Sequence, residues 1–72
     1  MEKTQRQQMT EALVQVALLE SKEVSVRMTE IIAYLQRSDH LAALGALQAL
    51  DEPFKLLGVA LSAAARLSQQ PS

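Results

Sequence analysis

The sequence predicts an all-α protein, and three observations carry the prediction. Apolar residues recur at helical spacing along nearly all of its 72 residues. No segment alternates apolar and polar residues with period two over a useful length. The turn residues are few: two glycines inside apolar segments, and prolines at 53 and 71. The expected architecture is a small helical bundle. A long N-terminal helix packs antiparallel to two shorter helices, forming a kinked hairpin that self-associates.

The first helix is expected over residues 4–37. Val14, Ala17, Ser21, Val24, Met28, Ile31 and Leu35 follow one another at alternating spacings of three and four. That is a heptad seam with one polar member, Ser21. Leu18 and Ile32 widen it toward the stripe of a bundle helix. The opposite face carries Gln15, Lys22, Glu23, Thr29, Glu30 and Arg37, with Leu19, Val26 and Ala33 as a thin second apolar line. Ser21 could cap a new helix, but the phase does not jump there, so one continuous helix is preferred.

Arg37-Ser38-Asp39-His40 is the first punctuation mark. Arg37 suits a helix C-terminus, and Ser38 or Asp39 suits the N-cap of the next helix. The second helix is expected over 39–50. It is apolar almost all the way round: Leu41, Leu44, Leu47 and Leu50 on one half, Ala42, Gly45, Ala46 and Ala49 on the other. Gln48 is the only polar residue from Leu41 to Leu50. A helix of that kind has no water-facing side and needs cover on more than one face.

Asp51-Glu52-Pro53 is the second mark. Proline cannot donate to the carbonyl four residues back, and its ring crowds that carbonyl. A break is therefore expected, with Asp51 capping a third helix over 53–68 and a polar tail at 69–72 that frays. The third helix has a narrow polar stripe of Lys55, Ser62 and Arg66. Phe54, Leu56, Leu57, Val59, Ala60, Leu61, Ala63, Ala64 and Leu67 fill the rest.

Length and composition bound the function. One domain over residues 1–72 is all the chain can hold. A chain this short buries only about 60% of its unfolded surface, which makes a lone monomer marginal. There is no cysteine for a disulfide and only one histidine, so neither a staple nor a metal cluster replaces the missing core. Oligomerisation or a larger partner protein is the expected remedy. The net charge of -1 gives no electrostatic case for nucleic acid or anionic membrane. The polar start argues against a signal peptide, and no uncharged run is long enough to span a bilayer, so a cytoplasmic location is expected.

Catalysis finds little support. Ser38, Asp39 and His40 are neighbours in one turn, whereas a triad needs convergent side chains and an oxyanion hole. No cofactor or metal is expected. Glu20 and Arg27 sit seven apart beside the seam, where they could set register with a partner helix or form a solvated rim. Gly45 and Gly58 match no phosphate-loop spacing and fit close helix packing instead. The function expected is a non-enzymatic interaction module: an adaptor, small chaperone or inhibitor of a larger protein. Its contact surface is expected on Leu41, Leu44, Leu47 and Leu50, continued by Phe54, Leu57 and Leu61. A small nucleic-acid-binding regulator is the alternative, disfavoured by the scattered basic residues. Compact helical hairpins are common among bacterial secretion chaperones and plasmid regulators, a likeness of architecture alone.

Overall fold

The computed structural model describes residues 4–70, and these form two antiparallel helices joined by a tight turn. Helix α1 runs Gln5–Gln36 and helix α2 runs His40–Gln69, with no strand among the described residues. The molecule is a rod of 54 × 19 × 13 Å. Its smallest dimension is about the diameter of one helix with side chains, so the hairpin is a single layer.

Each end of α1 is closed by local chemistry. Thr4 is the N-cap of a reciprocal capping box. Its hydroxyl accepts from the Gln7 backbone N–H at 3.2 Å, and its own N–H donates to Gln7 Oε1 at 2.9 Å. At the other end the Asp39 N–H donates to the Tyr34 carbonyl at 2.8 Å and the Ser38 N–H to the Leu35 carbonyl at 3.0 Å. That pair of bonds is a Schellman motif, which places Ser38 in the left-handed region, φ 59°. Asp39 then caps α2, its carboxylate accepting from the Ala42 N–H at 3.2 Å. The Arg37 guanidinium stacks over the Tyr34 ring, 5.2 Å from its centroid. At the open end, Arg6 donates to the Gln70 carbonyl at 2.9 Å, a second tie between the start of α1 and the end of α2. Pro71 and Ser72, in the tail expected to fray, lie outside the described residues.

The expected break at Pro53 does not occur, and the two short helices of 39–50 and 53–68 are one helix. The reason is the phase of the small residues. Ala43, Ala46, Leu50, Pro53, Leu57, Ala60, Ala64 and Leu67 follow at alternating spacings of three and four through the proline. Every one of them is buried or half-buried. Pro53 is itself buried in this line. Packing against α1 on both sides of the proline keeps the two halves in one continuous helix against its local cost, about 3 kcal/mol. Asp51 does not cap a restart. It pairs with Lys55 at 3.1 Å, a contact that depends on helical geometry across the proline.

The facing line on α1 is Arg6, Thr10, Leu13, Ala17, Glu20, Val24, Arg27, Ile31 and Tyr34, again at spacings of four and three. It overlaps the expected seam by half. Ala17, Val24 and Ile31 turn toward α2, but Val14, Met28 and Leu35 are 41%, 43% and 54% exposed. The true seam is displaced by one residue around the helix. The residues between the helices are small: the buried apolar core consists of Ala17, Ala43, Ala46, Ala60 and Ala64.

Candidate interaction surface

A helix whose most buried positions are alanine and proline brings its partner close, and close approach leaves many larger side chains outside. The consequence is visible in exposure. Among the described residues no large side chain is fully buried, while sixteen large apolar ones stand exposed along the two helices. Surfaces of monomers usually scatter such residues singly. Here they fall into columns of residues seven apart.

Two of those columns share one broad face. A groove at the open end is lined by Arg6, Gln7, Thr10 and Glu11 of α1 with Leu67 and Ser68 of α2. The Gln7 column therefore lies beside the Ser68 column. Stepping by sevens, the first carries Val14, Ser21, Met28 and Leu35, and the second Leu61, Phe54 and Leu47. Leu18 and Ile32 flank it outside on α1, and Leu44 and Gly58 outside on α2. We term this the broad apolar face. A shallow apolar pocket on it is lined by Leu47, Leu50, Asp51 and Phe54.

The residues expected to make contact divide accordingly. Leu44, Leu47, Phe54 and Leu61 are 50–60% exposed on the broad face. Leu50 and Leu57 are half-buried and turn toward α1, so they support the face from beneath. Leu41 stands near the turn, 84% exposed. The sequence does not mark the contribution of α1 to the face, because periodicity places Val14, Met28 and Leu35 in the seam.

Charge is sparse on this face and organised elsewhere. Arg27 donates to Glu23 at 3.1 Å and to Glu30 at 3.2 Å, both on its own helix. Glu30 and then Glu23 raise its pKa above the usual guanidinium range, so it remains charged at any working pH. Arg27 is thus engaged within α1 rather than offered to a partner. Lys55 is engaged by Asp51. No group of three or more His, Asp or Glu placed to hold a metal ion occurs among the described residues. His40 and Ser38 are exposed at the turn, with Ser38 held in a backbone motif and Asp39 committed to its cap.

The two glycines are conspicuous for having no internal reason. Both lie in α2 with negative φ. A Cβ added at Gly45 or Gly58 would meet nothing within 4 Å. Each costs helix stability of about 1 kcal/mol relative to alanine. Close packing inside the hairpin is therefore not what they serve, and the close helix packing expected of them would need a helix from outside it.

Among the described residues no helix is long and apolar enough to cross a membrane. Compared with known proteins, the chain matches no family model, no curated protein and no solved structure.

Proposed function

We propose that the protein is a non-enzymatic interaction module that works by burying the broad apolar face of its hairpin against another polypeptide. An adaptor, a small chaperone or an inhibitor of a larger protein would each use such a face. One observation carries the reading: the fully buried apolar residues between the helices are all alanines, while sixteen large apolar side chains are displayed outside among the described residues. A domain ordinarily covers such residues with a second layer of structure. This chain has one layer, and a second must come from outside it. The basic residues give a nucleic-acid reading less support, since Arg27 and Lys55 are already held by carboxylates.

The test is substitution on the face followed by solution mass. Replacing Leu44 and Leu47 together with Glu should abolish association while leaving the helix content measured by circular dichroism intact. A folded variant whose solution mass equals that of the wild type overturns the reading. Salt separates the alternative: burial of apolar surface persists at high ionic strength, whereas phosphate-backbone binding weakens steeply.

A further inference from the structure

We propose that the partner on the broad apolar face is a second copy of this chain, related by a two-fold axis perpendicular to the helices, with Phe54 of each copy seated on Gly58 of the other. This names the occupant of the face described above and rests on that reading.

Area is the first argument. The hairpin exposes 5659 Å². A compact monomer of 7.9 kDa exposes about 4,400 Å², so this chain carries roughly a quarter more surface than its mass warrants. Two separate hairpins closing to the ordinary surface of a particle of twice the mass would lose about 4,000 Å². That lies within the range of permanent interfaces, roughly 2,000–5,000 Å². A second hairpin of the same size supplies the missing layer and completes a four-helix bundle.

Self-complementarity is the second argument. An axis crossing α2 midway between Phe54 and Gly58 reverses the order of residues on the facing copy. Phe54 then meets Gly58 of the other chain, Leu47 meets Ala65, and Leu44 meets Ser68. Each pairs a large side chain with a small one. Leu61 meets Asp51, whose carboxylate is drawn aside to Lys55 at 3.1 Å.

The same axis must suit α1, and it does. Leu56, at the midpoint on α2, lies as far along its helix from His40 as Glu20 lies from Gln36 on α1. Reversal between Leu19 and Glu20, half a residue from that height, sets Leu18 against Ser21, Val14 against Ser25, Ile32 against Gln7 and Met28 against Glu11. Near the axis each large residue faces a serine, and the longer polar side chains fall toward the ends of the interface. One axis thus gives interlocking packing on both helices, as an isologous interface requires.

Gly58 is the third argument. The hairpin alone has room for a side chain there, yet the position is glycine on an exposed helical turn. A ring delivered by a facing chain accounts for the empty space. Gly45 serves as its control, because it lies in the column of Glu52 and Arg66, on the far side of the hairpin.

Three measurements test the proposal. Sedimentation equilibrium of the wild type should give twice the mass of the 7.9 kDa chain. A monomer at high micromolar concentration overturns the dimer. Binding of an apolar dye by that monomer would leave the broader reading standing with a different partner.

Gly58→Leu should weaken dimerisation on the order of 100-fold or more, since both central rings lose their seats. Gly45→Leu should leave it unchanged. Both variants have room to fold as hairpins, so equal effects of the two overturn the placement of Phe54.

The chain contains no cysteine, which permits single-thiol crosslinking. Ser21→Cys, beside the axis, should join two chains through a short bismaleimide. Leu35→Cys should not, because its two copies would lie near opposite ends of the 54 Å rod. Equal crosslinking at both positions would place the axis along the helices and overturn the proposed packing.

Discussion

The space between the helices and the broad face outside them are built from opposite materials. The inner lines place Ala17, Ala43, Ala46, Ala60, Ala64 and Pro53 where most domains place leucine and phenylalanine. The outer face holds Val14, Met28, Leu35, Leu47, Phe54 and Leu61, all at least two-fifths exposed. Alanine burial brings little apolar area per residue, so the inner contact wins by length and register rather than by bulk. The large side chains retain most of their hydrophobic free energy for use elsewhere. A helix pair closed by small residues leaves many of its large apolar side chains in contact with solvent.

The largest effect should come from making the inner space resemble the outer one. Ala60 is 3% exposed, and a leucine there has no room without separating the helices. Ala60→Leu should destabilise the hairpin by about 1–3 kcal/mol in urea unfolding followed by circular dichroism. The matched outer change, Val59→Leu at a residue 69% exposed, should stay within about 0.5 kcal/mol. If the two cost the same, the contrast between inner and outer surfaces is not an energetic one.

Pro53 gives the next test, because it belongs to the inner line by position and opposes it by chemistry. Pro53→Ala supplies an N–H for the Ala49 carbonyl and keeps a small side chain in the seam. The gain in helix propensity exceeds the loss of chain restriction in the unfolded state, so about 1–2 kcal/mol of stabilisation is expected. A lower melting temperature in the variant would show that the ring itself packs in the seam.

The turn allows the smallest change. Ser38 occupies left-handed backbone, φ 59°, where a Cβ is unfavourable. Ser38→Gly should raise stability by about 0.5–1 kcal/mol. The gain should appear in unfolding alone and leave solution mass unchanged, since the turn is remote from the centre of the broad face.

Much of this could be read from the residues in advance. The helical period, the turn at 37–39 and the Asp39 cap are local, and local chemistry writes them in sequence. The Thr4-Gln7 capping box is equally local and was legible as a Thr three residues before a Gln. The seam was legible only in part. On α1 the columns of Val14 and Leu13 are both apolar in places, and one step of rotation separates them. Periodicity ranks those columns by hydrophobicity, which favours Val14, Met28 and Leu35. Packing against an alanine-lined helix instead selects the column that contains Arg6, Glu20 and Arg27.

Pro53 shows the same division. In isolation a proline ends a helix, and Asp51 beside it is a sound cap. Only the second helix, pressed along both sides of the proline, keeps the chain helical there. The sequence by itself determined that this protein is helical, where it turns, and that it has more apolar surface than one short chain can cover. Those properties depend on neighbours a few residues away and on totals. The tertiary structure decided which apolar residues lie inside and which remain outside, because that choice depends on how closely two backbones approach, and the alanines set that distance only once the helices have met.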